Sequence, residues 1–164
     1  MVSGGSHELN VIAYDWDGDG AAEVLLRGGD NMMVHGQRGN SRQEYPQRIG
    51  SNGVDTRGSV SHSANMTYTN TGNEYLVYMD GDHGIIYDAV RYMSYPIPRG
   101  NASDWGDNYG HRSSKYFFGA PFLDGKKPSI FLARGIYTKH EMRTYDVDPS
   151  THSLTERWHW SNNG

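Results

Sequence analysis

Apolar residues along this chain fall in short segments separated by turn-forming residues, a pattern that predicts an all-β fold. Leu9–Tyr14 reads as a strand, Glu23–Arg27 as its return, and Glu74–Met79 as a third strand. Asp80-Gly81-Asp82-His83-Gly84 is a tight reversal into a fourth, Ile85–Tyr92. These four segments predict one antiparallel sheet, with residues 28–72 as an insertion. A second set follows: Lys115–Leu123, Pro128–Arg134, Met142–Val147 and Leu154–Trp160, with turns at Asp124-Gly125 and Asp148-Pro149-Ser150-Thr151.

The two sets repeat one design. Asp19-Gly20 followed by Glu23-Val24-Leu25-Leu26 aligns with Asp124-Gly125 followed by Pro128-Ser129-Ile130-Phe131. Repeated antiparallel four-stranded sheets are the blades of β-propellers. The expected organisation is one partial β-propeller over residues 1–164: a first blade in 1–95, a connector in 96–114 and a second blade in 115–160. A propeller takes roughly four to eight blades to close. Two blades leave sheet faces uncovered, so the expectation is a piece of a larger protein, completed by remaining blades or by self-association. The uncapped end at Trp158–Gly164 and the start Met-Val-Ser-Gly-Gly-Ser read the same way. The insertion is rich in glycine, serine and asparagine, and it either lines a binding cleft or is a mobile excursion.

Composition sharpens the class. Glycine makes up 21 of 164 residues and aromatics 12%, against 35% hydrophobic residues overall. Twelve tyrosines and four tryptophans among so many glycines suggest polar aromatic surfaces, which suit the C–H faces of carbohydrate. A net charge of −4 argues against a nucleic-acid partner, which needs clustered Lys and Arg. No apolar run approaches the roughly 18 residues that suggest a membrane span. With zero cysteines, disulfides and thiol chemistry are excluded.

Residues 14–23, Tyr-Asp-Trp-Asp-Gly-Asp-Gly-Ala-Ala-Glu, place carboxylates at alternate positions broken by glycines. Asp15, Asp17, Asp19 and Glu23 stand at loop positions 1, 3, 5 and 9, and the Ala21 carbonyl is available at position 7. Ca2+ takes about six to eight oxygen ligands, so these five residues are the candidate metal ligands and Ca2+ the expected cofactor. Leu26 and Arg27 stand where an EF-hand carries its closing Glu, and strands flank the run. The cage is therefore a strand-to-strand connection pinned by calcium. Such cages serve mainly outside the cytosol, so an extracellular or periplasmic location is expected, with no signal peptide at Met1.

Four motifs occur in order: Tyr-Asp-Trp-Asp-Gly-Asp-Gly-Ala-Ala-Glu-Val (14–24), Pro-Arg-Gly-Asn-Ala-Ser-Asp-Trp-Gly-Asp-Asn-Tyr-Gly-His-Arg (98–112), Phe122-Leu123-Asp124-Gly125 with Pro128-Ser129, and Ala133-Arg134-Gly135-Ile136-Tyr137-Thr138. Together they resemble polysaccharide lyase family 11, the rhamnogalacturonan lyases, over nearly the whole chain. The resemblance implies an eight-bladed, calcium-rich propeller acting on the rhamnogalacturonan I backbone of pectin, of which this chain supplies about two blades. It implies cleavage by β-elimination: a base takes the C5 proton of a galacturonate, and the C4–oxygen bond to rhamnose breaks. The developing charge calls for a cation at the carboxylate, Ca2+ or Arg.

Lys115, Arg134 and Tyr137 are the candidates for catalysis, and His7, His111 and Arg112 for substrate binding. Lys115 also reads as a solvated edge lysine, and His111 and Arg112 as residues that hold the connector. Asp104 and Asp107 are candidates for a second calcium, whereas Asp146-Val147-Asp148 reads as a hairpin turn. Trp158 and Trp160, two apart on a strand, share one sheet face and read as packing residues. The competing class is a non-catalytic, calcium-stabilised propeller module that binds carbohydrate or protein.

Overall fold

A computed structural model describes residues 11–37, 44–50, 56–57, 61–62, 69–92 and 102–162. In chain order the strands are β1 (Val11–Tyr14), β2 (Glu23–Gly29), β3 (Met33–Gln37), β4 (Glu44–Arg48), β5 (Ser61–His62) and β6 (Thr69–Thr71). They continue as β7 (Glu74–Met79), β8 (Ile86–Arg91), β9 (Tyr116–Gly119), β10 (Ile130–Arg134), β11 (His140–Val147) and β12 (Leu154–Asn162). Two antiparallel four-stranded sheets result, in the orders β1-β2-β7-β8 and β9-β10-β11-β12. Among the described residues no helix is long and apolar enough to cross a membrane.

The period-2 geometry of a strand sends alternate side chains to opposite faces, and this divides the cores. Leu25, Leu76 and Tyr78 turn toward the second sheet, where they meet Tyr116, Ile130, Leu132, Tyr145 and Val147 in one buried cluster. Their neighbours Leu26, Tyr75 and Val77, with Ala89, turn the other way. That second face is covered by the insertion: Ile49, Met32 and Val34 pack on it. In its described part the segment 28–72 packs on this face of the first sheet. The β3–β4 hairpin is a lid on the first sheet, tied down where Gln47 Nε2 donates to the Gly84 carbonyl at 2.8 Å and Gln47 Oε1 accepts from the Ile86 N–H at 2.9 Å.

Polar bonds fasten sheet to sheet. The Asp88 carboxylate, on β8, accepts the Leu154 N–H of β12 at 2.8 Å. Glu74 on β7 sits between Arg27 on β2 at 2.8 Å and Arg134 on β10 at 2.7 Å, and accepts the Tyr116 hydroxyl at 3.0 Å. Burial works against the Arg134 charge, and the Glu74 carboxylate and its tyrosine neighbours more than offset it. Arg134 is only 1% exposed. It lies in the core between the two sheets.

Strand bounds shift where local chemistry stops a ladder. The strand expected over Lys115–Leu123 ends at Gly119, before Ala120-Pro121, because proline cannot donate to the sheet. The strand expected from Pro128 begins at Ile130. The last two lengthen to His140–Val147 and Leu154–Asn162. Trp158 and Trp160 do share a face, opposite Thr144 and Met142 of β11, yet they are 47% and 44% exposed. With Phe117 and Phe131 they leave the outer face of the second sheet open. An apolar groove of 820 Å³ runs there between Pro121, Leu123, Phe131, Thr144 and Trp158.

Candidate functional site

The two groups of residues singled out by sequence lie at opposite ends of the sheets. The β1–β2 connection holds the acidic run at one end. There Asp15, Asp17 and Asp19 each bring a carboxylate oxygen within 4.8 Å of the others. Their backbone turns are made by the same side chains: Asp15 accepts the Gly18 and Gly20 N–H groups at 2.7 and 3.1 Å, and Asp19 accepts the Ala21 N–H at 2.7 Å. Asp17, with a side chain only 3% exposed, lies 3.2 Å from His152 Nδ1. Glu23 stands apart from this group of three. Its Oε2 accepts the Trp16 N–H at 3.0 Å and the Tyr78 hydroxyl at 3.2 Å. Burial pushes the Glu23 carboxyl above its ordinary value, and the charges of Asp17 and Asp19 add to that against the two bonds.

The three aspartates offer hard carboxylate oxygens, a donor set that fits a divalent cation such as Ca2+. Burial, and then the charges of Glu23 and Asp17, push the Tyr78 hydroxyl well above its ordinary value. A second acidic group, Asp80, Asp82 and His83, occupies the β7–β8 turn at the same end. The two loops touch: a Cβ on Gly81 would lie 1.9 Å from the Ala22 carbonyl oxygen, so only glycine allows this approach. In sequence 80–84 reads as a reversal, although its Asp-x-Asp spacing repeats that of 15–19. His152 gave no such signal, because it reaches Asp17 from the β11–β12 turn of the other sheet.

The opposite end gathers the connector and the segment after β10. Asp107 accepts three backbone N–H groups, from Tyr109 at 3.1 Å, Gly110 at 2.8 Å and Arg112 at 2.7 Å. Burial raises its pKa, but these three bonds, with His111, bring it below the ordinary value. Both Asp107 oxygens accept N–H groups of its own loop. Trp105 is buried, with Arg134 5.0 Å and Lys139 4.7 Å from its ring centre. Arg134 Nε donates to the Ser113 carbonyl at 2.7 Å, and the Gly135 N–H donates to the Lys115 carbonyl at 2.9 Å.

This network brings Arg112, His111, Lys115 and Tyr137 to one end. Arg112 donates to Thr138 Oγ1 and its guanidinium lies 5.4 Å from the Tyr137 ring centre. His111 stacks on Tyr109 with centroids 6.0 Å apart. Lys115 is half-buried just before β9. Tyr137 is 79% exposed. Arg134 lies beneath them in the core, and His7 falls outside the described residues.

Comparison with known proteins places this architecture. The model of the "Rhamnogalacturonan lyase family 11, C-terminal domain" matches residues 1–164. The rhamnogalacturonan exolyase YesX of Bacillus subtilis (strain 168) is 32% identical over 162 residues, covering 99% of this chain and 23% of its own length. The rhamnogalacturonan endolyase YesW of the same organism is 31% identical over 151 residues, covering 88% and 20%. The structure of the Bacillus licheniformis rhamnogalacturonan lyase PL11 superposes with a TM-score of 0.71 at 32% identity, covering 96% of this chain and 24% of that one. The crystal structure of exotype YesX gives a TM-score of 0.72, covering 97% and 23%. The chain thus spans under a quarter of the length of these curated relatives. By the match over its full length, the chain belongs to rhamnogalacturonan lyase family 11, within the C-terminal domain.

Proposed function

We propose that this chain supplies two blades of a β-propeller in a secreted, calcium-dependent rhamnogalacturonan lyase, which cleaves the rhamnogalacturonan I backbone of pectin by β-elimination. The observation that carries the reading is the family match over residues 1–164. Two four-stranded meanders packed face to face, with an apolar outer face on the second, support the blade arrangement.

In this reading Asp15, Asp17 and Asp19 hold Ca2+, their carboxylate oxygens lying within 4.8 Å of one another. A bound cation there neutralises crowded carboxylates and fixes the β1–β2 connection; its place at the far end from Lys115 and Tyr137 favours a structural part. At the other end Arg112 and His111 offer donors to a galacturonate carboxylate, which gains negative charge as the C5 proton leaves. Lys115 is the candidate to accept that proton. Tyr137 has an outward ring that suits sugar contact.

The burial of Arg134 also favours the second reading, in which this part of the protein binds the polysaccharide and the proton transfer is done by residues elsewhere in a longer enzyme. One assay, with a Lys115→Ala arm in the parent protein, separates the two. Unsaturated uronate absorbs in the ultraviolet, so release of product from rhamnogalacturonan reports elimination directly. The full parent protein is expected to release it and the 164-residue chain is not. Elimination by the chain alone would overturn the two-blade reading, and loss of product in a parent carrying Lys115→Ala would support the assignment of Lys115.

A further inference from the structure

The acidic β1–β2 loop is gripped by the opposite sheet. Asp15 and Asp19 accept N–H groups of their own loop, whereas Asp17 is approached from two sides. Asp17 Oδ1 accepts the Asp19 N–H at 3.1 Å, and Oδ2 lies 3.2 Å from His152 Nδ1, on the turn between β11 and β12. The His152 ring is stacked on Tyr87 of β8, with centroids 4.2 Å and planes 16° apart, so the first sheet fixes the plane in which Nδ1 is offered. Two residues on, the Leu154 N–H seats the turn on Asp88, the neighbour of Tyr87. His152 has φ +53, and its N–H donates to the Asp148 carbonyl at 2.8 Å. Glycine or asparagine serves such a backbone at least as well, but neither carries a ring that spans to Tyr87 and Asp17. His152 Nδ1 is shielded from water and makes no hydrogen bond among the described residues, although Asp17 Oδ2 stands within reach. A buried nitrogen left so is costly, and a small turn of the Asp17 carboxylate supplies the bond.

From this geometry we infer that His152 is a positioning residue for the cation site: it orients the Asp17 carboxylate from the second sheet, so that cation binding and docking of the β11–β12 turn strengthen each other. The inference rests on the proposed calcium reading of Asp15, Asp17 and Asp19; the part of His152 rests on the geometry. An ionised carboxylate has about four acceptor sites on its two oxygens, so Asp19 and His152 fix the plane of Asp17 and leave it capacity for a cation. Groups that hold a metal's ligands in place change affinity by about 10- to 100-fold. Such coupling is reciprocal, so a loop that has bound its cation also holds the turn more tightly. The field at Tyr87 agrees with this placement. Burial, and then Asp80, Glu23, Asp17 and Asp19, raise its hydroxyl above the ordinary value, so the ring under His152 faces the acidic end. The cation thereby fastens sheet to sheet as well as β1 to β2.

The test titrates Ca2+ by calorimetry into the 164-residue chain, stripped with EDTA, at about pH 8, where an ordinary imidazole is neutral. His152→Gly suits the left-handed backbone and removes the ring, and it is expected to bind Ca2+ about tenfold more weakly or worse. His152→Asn, also at home in that backbone, is expected to do the same and decides the matter if the glycine variant does not fold. Ile49→Ala, on the far face of the first sheet, is expected to lower the melting temperature and leave calcium affinity unchanged, so lost stability does not account for lost binding. Amide hydrogen exchange reads the other side of the coupling. Ca2+ is expected to slow exchange at Leu154 in the wild type and not in the His152 variants, which a merely structural histidine would not produce. Equal calcium affinity in the wild type and the His152 variants, or exchange at Leu154 indifferent to Ca2+, would overturn the coupling and leave the cation site standing. No calcium binding by the wild type would remove the cation reading and the part of His152 with it.

Discussion

Arg134 on β10 and Glu74 on β7 meet across the two sheets at 2.7 Å, with the guanidinium 0% and the carboxylate 2% exposed. Arg27 approaches the same carboxylate from β2 at 2.8 Å, so one buried anion serves two buried cations. Removing the anion strands both. Glu74→Ala is expected to cost roughly 3–5 kcal/mol in urea denaturation. A loss under about 1 kcal/mol would mean that water reaches these arginines and the sheets are not joined here.

Calcium that binds only the folded chain stabilises it by mass action, by about 2.7 kcal/mol at a hundredfold excess over Kd. Chelation with EDTA is accordingly expected to lower the melting temperature, and Asp17→Ala to erase that difference. Gly81→Ala is expected to weaken the calcium response too, because its Cβ would displace the Ala22 backbone of the acidic loop. Identical melting curves with calcium and with EDTA would count against the cation site.

Glu23 and Asp107 have opposite expected signs against pH. The folded pKa of Glu23 is raised, first by burial, so its contribution is full below the ordinary carboxylate value and is lost as pH rises through the raised one. Without calcium, Glu23→Gln is expected to melt above the wild type at neutral pH and level with it below about pH 4. The Asp107 value is lowered, by backbone bonds that outweigh burial, so its contribution is present above the ordinary value and lost as pH falls through the depressed one. Asp107→Asn is expected to destabilise at neutral pH and converge with the wild type in acid. Melting curves from pH 3 to 7 check both, and parallel profiles for the two variants would refute the pairings.

Gly135 has φ +92, and a Cβ there would lie 2.1 Å from the Lys139 carbonyl and 2.7 Å from the Trp105 ring. Gly135→Ala combines backbone strain with a collision, so a loss of about 1–3 kcal/mol or more is expected. Near-ultraviolet circular dichroism should change with it, since Trp105 must leave its seat between Arg134 and Lys139.

Trp158 and Trp160 offer a contrasting case. Both are about half exposed on an open face, so replacing them with Ser should alter stability little while reducing concentration-dependent association of the chain. Sedimentation velocity of wild type and double variant checks this. Association that persists in the variant would place the contact elsewhere.

The acidic loop and the strands around it were legible locally. Asp-x-Asp-x-Asp with glycines states the turn within a few residues, and the structure gathers the carboxylates of Asp15, Asp17 and Asp19. Glu23 was the harder residue. Its distance along the chain suits a cage, but Trp16 and Tyr78 take its Oε2, and that competition is visible only when β1, β2 and β7 lie side by side. The burial of Arg134 was hidden for a similar reason: a cation after an apolar strand reads as an exposed loop residue until its partner, Glu74, arrives from sixty residues upstream. The coverage of the first sheet by Ile49 and Val34 was likewise hidden in a segment whose composition reads as loop.

By itself the amino-acid order determined what depends on neighbours: the alternation that makes strands, the turns that separate them, the repeated Asp-Gly connection and the motifs that mark the family. Only the tertiary structure decided which charges are buried and which are offered to a ligand. Strand period and turn chemistry act over a few residues, whereas desolvation of Arg134 or exposure of Tyr137 depends on surfaces brought together from distant segments.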